Sequence, residues 1–395
     1  MDIHKAYKFR FYPTPEQEDL LARTFGCVRK VYNDSLEIRR KAYEVHKENV
    51  FCTDLDFLLT LRKKQEEYAY LNEVPAVPLQ QSLRNLDKAY SSFFKQGKGY
   101  PRFKSRYDNQ SARYTKSAFS YDGKYTIKLA KMSTKLKIRW SRTIPLGAKV
   151  TSVTVSKDKA NRYFISFACE DTIAQLPKTE NKVGIDLGIK DFAVLSTGEK
   201  IEHPKYYRTS EKRLVKCQRE LSKKQKGSKN REKARVKVAK AYAKVTDQRK
   251  DFLHKLSSFI VHENQVICIE DLAVKNMVKN RHLSKSISDS GWGEFKRQLE
   301  YKSVWHGRTL VKVGRFFPSS KTCSTCGCIK DHLDLSERNW TCQYCGTEHD
   351  RDVNAALNVL AEGTSVIARG EESSGSLVVG PVSETVLCEA GIPVL

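Results

Sequence analysis

Four cysteines and three or four acids carry most of the chemistry open to this chain. Cys323, Cys326, Cys342 and Cys345 are spaced C-x2-C-x15-C-x2-C inside the segment TCSTCGCIKDHLDLSERNWTCQYCGTEHDRDVNAALNVL, residues 322–360. Each CxxC turn aims two thiolates at one ion, and two turns complete a closed tetrahedron. The expected occupant is one structural Zn2+, with no position left for substrate. Glycines follow Cys326 and Cys345 and ease the tight turns. Cys328 is read as a bystander thiol.

The acids sit where elements end. Asp186 lies inside the apolar run VGIDLGI, where a charge is excluded unless it has a partner or a use; the alternative is a turn residue ahead of Gly188. Glu270 closes VICIE. Its alternatives are an ion pair with a lysine of the basic stretch, or replacement in its role by the neighbouring Asp271. Asp350 and Asp352 open DRDVNAALNVL, where either could cap a helix. Asp352 shares a helical face with Ala355, Ala356 and Val359, so if that face packs on a sheet, Asp352 points to the sheet edge and Asp350 is the cap. Carboxylates delivered by separate elements can hold two divalent ions that activate water and steady the leaving oxygen of a phosphodiester. Mg2+ suits this work because it keeps most of its waters.

The elements that must position these groups are legible in outline. IHKAYKFRFY (3–12) reads as a strand stopped by Pro13 and Pro15, and 16–94 carries helical periodicity through Leu20, Leu21, Phe25, Val28 and later Leu79, Leu83, Leu86. LKIRW, VTSVTVS and RYFISFA predict strands, the last two a hairpin across Lys157–Asn161. From Asn181 the pattern changes. KVGIDLGIKDFAVL predicts two strands, residues 208–250 a helical hairpin broken at GSKN, QVICIEDL a buried strand, 294–306 a helix, TLVKVG a strand, and 352–360 a last short helix. Strands alternating with helices indicate an α/β layer.

A net charge of +25, from 71 basic and 46 acidic residues, points to a polyanionic partner. The membrane reading is weak, since no apolar run approaches the ~20 residues a spanning helix needs. The start, MDIHKAYKFRFYP, shows no signal-peptide pattern, and isolated cysteines outside the CxxC pairs favour a reducing, intracellular compartment. Residues 208–250 hold 17 basic and 4 acidic side chains. That excess is too lopsided for pairing within the helices, although a solvated charged face is the ordinary reading of such a run. FFKQGKGYPRFKSRY interleaves Phe93, Phe94, Tyr100, Phe103 and Tyr107 with cations, which suits stacking on unpaired bases or, equally, packing of a loop on a core. Candidate nucleic-acid contacts are Lys98, Tyr100, Arg102, Phe103 and Lys104, with Arg213, Lys216, Lys223, Lys224, Arg231 and Lys237.

GIDLGIKDFAV, IEDL and the CxxC segment running into HDRDVNAALN resemble the three split nuclease motifs of the TnpB (OrfB) family, RNA-guided nucleases of bacterial insertion sequences related to type V CRISPR effectors. KFRFYPTPEQEDLL, GYPRFKS, SISDSGWGEFKRQLEYK and FFPSSKTCSTCG extend the likeness over residues 1–360. The resemblance implies an α/β RNase H-like (RuvC) nuclease domain at 181–320 and 349–360 with an inserted zinc ribbon at 321–348. It also implies a β-barrel-like wedge domain at 1–15 and 112–172, carrying a helical recognition insertion at 16–111. Residues 361–395, with a net charge of −4 after Ala361, are expected to form a flexible tail.

By the same resemblance Asp186, Glu270 and Asp352 are the catalytic triad and hold two Mg2+. The partners are a guide RNA derived from the transposon end and a target double-stranded DNA cut beside a short flanking motif. A monomeric protein with one RNA, in the bacterial cytoplasm near the nucleoid, is expected. The alternatives are a non-cutting RNA-guided repressor and a DNA-strand-transferring transposase. A zinc-ribbon RNA-binding module alone does not explain the three acids.

Overall fold

The alternation in IHKAYKFRFY becomes strand β1 (Asp2–Tyr12), with Phe9 and Phe11 buried and Lys8 and Arg10 turned between them. A computed structural model describes residues 2–334, 336–370 and 387–389 of the chain. Thr14 and Gln17 form a capping box that starts α1 (Pro15–His46), with Pro15 at a helix position that needs no N–H partner. Helices α2 (Cys52–Arg62) and α3 (Ala76–Gln96) complete the inserted helical part. The chain then forms β2 (Gln110–Thr115), β3 (Phe119–Tyr121), β4 (Ile127–Leu129), β5 (Lys137–Arg139), β6 (Lys149–Lys157) and β7 (Tyr163–Thr172).

β1 pairs antiparallel with β7, β7 with β6 in the expected hairpin, and β6 with β2, while β5 lies beside the end of β1. Among the described strands no ladder returns β2 to β1, so the sheet is open where a barrel-like domain was expected. The core of this unit draws on α1 and α3 and also on aromatics near β3 and β5, with ring centres 4.8 Å apart for Phe9 and Trp140 and 5.2 Å apart for Tyr121 and Phe167. Leu21, Phe25, Val28, Leu79 and Leu83 pack with Phe9, Val153, Ile165 and Phe167.

The second half opens with a meander of β8 (Lys182–Asp186), β9 (Asp191–Leu195) and β10 (Lys200–Glu202). The helical hairpin is α4 (Tyr206–Ser222) and α5 (Lys229–Glu263), broken near the predicted glycine. After it come β11 (Val266–Glu270), α6 (Val274–Met277), α7 (Ser284–Ser290), α8 (Trp292–His306) and β12 (Thr309–Val313). The sheet order is β10-β9-β8-β11-β12, antiparallel through the meander and parallel from β8 through β11 to β12. That order, with a single crossover bringing β11 beside β8, is the RNase H-like arrangement expected from the motifs.

Alternation along the strands sends side chains to two layers. Val183, Ile185, Ile267 and Ile269 meet Leu253, Ile260, Phe295 and Leu299 of α5 and α8. Cys268, Val311 and Val313 face the opposite helix. That helix, α9 (Arg351–Arg369), follows the small hairpin β13 (Asn339–Thr341) and β14 (Glu348–Asp350).

Two boundaries differ from the sequence expectation. α9 was expected to end at Leu360, with the tail beginning at 361; it runs nine residues further, to Arg369, and stops at Gly370, whose φ is +64°. The reason is packing: Val359 and Val366 continue one buried stripe, and Gly363 sits against Cys268. Of the remaining tail, residues 371–386 and 390–395 lie outside the described residues, and β15 (Leu387–Glu389) pairs parallel with Lys5–Tyr7 of β1. The chain divides into two compact units, and the hairpin tip Lys224–Lys240, which the sequence placed within 181–320, groups with Asp2–Thr172. There Arg235 stacks 4.9 Å from the Tyr107 ring.

Candidate active site

β8 and β11 are parallel neighbours with Ile185 opposite Ile269, so the next residues, Asp186 and Glu270, emerge side by side at the carboxyl ends of their strands. Open α/β sheets place ligands at this edge. Asp352, the second residue of α9, reaches the same place from the helix. All three acids line one cavity of about 930 Å³ in the second unit, together with Ser319, Ser320, Arg338 and Arg351.

α9 comes this close because β8 has no side chain beneath it. A Cβ on Gly184 would lie 2.1 Å from the Ala356 carbonyl oxygen and 2.7 Å from the Leu360 amide nitrogen. Ala355, Ala356 and Val359 are buried as the helical face predicted. Gly184→Ala should therefore lift α9 and carry Asp352 with it. We expect an overpacking cost of about 1–3 kcal/mol, read as a lower melting temperature, and slower DNA cleavage. An alanine variant with unchanged melting and cleavage would show that the helix seat is not what aligns Asp352.

The ambiguities among the acids resolve by partner. Asp350 is the helix cap: its carboxylate accepts the N–H groups of Asp352 and Val353, both at 3.1 Å, and pairs with Lys200 at 2.5 Å. Burial pushes against ionisation of Asp350, but Lys200 and the two N–H groups outweigh it and hold the group below the usual carboxylate range. Asp271 is taken by Lys296 and by Arg315, the latter at 2.9 Å. Glu270 instead accepts a 2.5 Å hydrogen bond from the Ser319 hydroxyl.

Among the described residues no side chain hydrogen-bonds to Asp186. Burial, then the Glu270 and Asp352 carboxylates, push its pKa up to about 8 against the pull of Arg351 and Arg338. Burial raises Glu270 too, with the Ser319 hydroxyl opposing. Asp352 meets Arg338, whose Nη1 lies 3.2 Å from both carboxylate oxygens. Like charges crowded into one half-buried cavity are the condition that divalent cations relieve, so the donor set fits Mg2+.

The four cysteines also converge. Their sulfurs all lie within 4.8 Å of one another, with Cys323–Cys345 and Cys326–Cys342 at 3.6 Å. Tetrahedral bonds of ~2.3 Å require sulfur separations of about 3.8 Å, so the set fits one Zn2+. His349 Nε2 lies 3.0 Å from Cys323 Sγ, and its ring packs on the buried Trp340. All four cysteines are free of disulfides.

The candidate nucleic-acid contacts divide. Lys98, Tyr100, Arg102 and Phe103 are exposed, as are Arg213, Lys216, Lys223, Lys224 and Lys237. Lys104 is half-buried with its ammonium 3.8 Å from the centre of the Tyr32 ring, and burial lowers its pKa. Arg231 is half-buried and donates to the Lys224 carbonyl at 2.9 Å.

Sequence reasoning missed five residues of this region: Ser319, Arg338, His349, Asn354 and Asn358. The two asparagines carried no apolar-pattern signal. They stand four apart on one flank of α9, beside the stripe of Ala355, Ala356 and Val359 rather than on it, and both are buried with their amides satisfied by backbone groups.

An RNase H-like sheet whose strand ends and covering helix bring three carboxylates to one cavity defines a RuvC-like nuclease fold. Residues 153–281 match the family described as a probable transposase of the OrfB, IS605 type, and residues 292–359 match the Cas12f1-like TNB domain. A third match, at residues 1–48, is described as a helix-turn-helix domain. Here those residues form β1 and one unbroken helix.

A Streptomyces pristinaespiralis protein named "Putative RNA-guided DNA endonuclease" is 52% identical over 371 residues, spanning 93% of this chain and 92% of its own length. Escherichia coli K12 "Putative RNA-guided DNA endonuclease InsQ" is 32% identical, spanning 93% of this chain and 94% of its own. The Cas12f1 protein of a Cas12f1–sgRNA–target DNA complex shares the fold, with a TM-score of 0.52 at 15% identity, covering 91% of this chain and 98% of that one. The chain belongs to the TnpB (OrfB) family, the transposon-borne relatives of type V CRISPR effectors.

Proposed function

We propose that this protein is a transposon-encoded, RNA-guided DNA endonuclease that cuts double-stranded DNA beside a short flanking motif. The observation that carries the reading is the convergence of Asp186, Glu270 and Asp352 on one cavity, with Asp186 driven up to about 8 by burial beside the other two acids. The three carboxylates hold two Mg2+. When bound, these ions supply an activated water and charge stabilisation for an in-line displacement at phosphorus.

The chain's own groups do the rest. Glu270 accepts the Ser319 hydroxyl, Asp350 caps the helix that carries Asp352, and Arg338 and Arg351 give the cavity a cationic wall for the scissile phosphate. One Zn2+ holds the ribbon. The exposed lysines and arginines of α4 and of the tip of α5 neutralise backbone phosphates, and exposed Tyr100 and Phe103 offer faces for unpaired bases. Base pairing between the guide and the target strand reads sequence, while the protein reads duplex shape and the flanking motif. The working form is a monomer with one RNA in the bacterial cytoplasm.

The test is to purify the protein from cells carrying its gene and downstream flank, sequence the bound RNA, and offer a DNA library matched to that RNA with and without Mg2+. A discrete RNA with Mg2+-dependent cutting beside one motif is expected. Tight guided binding without cutting would replace the nuclease with a repressor, and joining of DNA ends without RNA would replace it with a transposase.

A further inference from the structure

We infer that Ser319 is a positioning residue for Glu270: its hydroxyl, held in place by Asn358 of α9, orients the glutamate carboxylate for a divalent cation. The hydroxyl lies 2.5 Å from Glu270 Oε1, and Ser319 is only 7% exposed. Its position is fixed from behind. The Asn358 amide donates to the Ser319 carbonyl at 2.8 Å and to the Thr322 carbonyl at 2.6 Å. Asn354 donates to the same Thr322 carbonyl at 2.7 Å and accepts the Ser324 N–H at 2.9 Å. Two asparagines one helical turn apart thus clamp the segment 319–324, which contains the first cysteine of the zinc set.

The choice of a hydroxyl has a physical reason. A lysine or arginine beside Glu270 would neutralise it and compete with a divalent cation for the same oxygens. Lys296 and Arg315, beside the neighbouring acid, are paired with Asp271. A neutral donor occupies one lone pair, restricts the rotation of the carboxylate and leaves its charge for the ion. Partners of this kind, one step removed from a metal, set affinity by about ten- to a hundredfold.

This inference rests on the cavity taking divalent ions, as proposed above, and its test reads metal binding directly. Full-length, zinc-loaded protein without nucleic acid is titrated with Mn2+ and free Mn2+ is followed by electron paramagnetic resonance. Wild type is compared with Ser319→Ala, Ser319→Thr and Asp186→Asn, each checked for folding by circular dichroism. Ser319→Ala should weaken the Asp186-dependent binding by about ten- to a hundredfold, and Ser319→Thr, which keeps the hydroxyl, should restore it. In cleavage, Ser319→Ala should need more Mg2+ for half-maximal rate yet approach the wild-type rate at saturation.

Unchanged Mn2+ affinity in Ser319→Ala, or equal loss in the threonine variant, overturns the inference. Wild-type binding that ignores Asp186→Asn overturns both it and the metal reading. Weakened binding in Ser319→Ala from a protein that cuts nothing with any RNA would uphold the inference and sink the endonuclease.

Discussion

Asp186→Asn should leave a folded protein that still binds RNA and DNA but cuts about a thousandfold more slowly, a barrier increase of ~4 kcal/mol. The asparagine fills the same volume, so the loss measures charge rather than packing. Retained cleavage in this variant would remove Asp186 from the catalytic set. The same substitution should act on stability in the opposite direction.

In EDTA, folding raises the Asp186 pKa from its ordinary 3.8 to about 8. Between those values the folded protein holds a proton that the unfolded chain has released. Its contribution is therefore fully present below pH ~4 and is lost as pH rises through about 8. Metal-free wild type should lose melting temperature from pH 5 to pH 9, Asp186→Asn should lose less, and Mg2+ should narrow the difference. Parallel pH curves for the two proteins in EDTA would contradict the crowded-carboxylate account.

Cys342→Ser is the second large effect. Structural zinc contributes on the order of 10 kcal/mol to small domains, and here the ribbon's fold is continuous with the nuclease. β14 ends at Asp350, the cap of α9, and Arg338, just ahead of β13, reaches Asp352. The variant should lose its one equivalent of zinc by elemental analysis and lower cleavage by at least about a hundredfold, the scale of losing a metal's supporting shell. Added Mg2+ should not restore it. Full cleavage by a zinc-free variant would mean that the ribbon and the carboxylates are independent.

The parts of this architecture that were legible in the sequence share one property: their residue types conflict with their surroundings. An aspartate in VGIDLGI and paired cysteines at metal spacing announce themselves, because an apolar strand or an ordinary loop does not hold them without a reason. The helical hairpin was readable from its glycine break, and helical geometry separated Asp350 from Asp352 on the condition, met here, that the Ala355–Ala356–Val359 face packs on the sheet. Ser319 was not legible, since a serine in FFPSSK looks like any loop residue until its hydroxyl is seen against Glu270. The end of α9 was misread because the acidic composition after Ala361 reads as a tail, whereas Val366 continues the buried stripe and Gly363 permits the close approach of Cys268. The open sheet escaped for a similar reason: strand patterns record which face is buried, not which element covers it.

Chain order gives the split site a consequence in time. Asp186 and Glu270 are made early, on neighbouring strands, while Asp352 arrives 166 residues after Asp186 and only beyond the ribbon. At bacterial rates of synthesis that interval is roughly ten to thirty seconds. Throughout it the nascent polypeptide can expose its basic surfaces to nucleic acid while lacking the third carboxylate. On the proposed assignment of the three acids, the set of metal ligands is complete only once α9, the helix that carries Asp352, has been synthesised and has docked on the sheet.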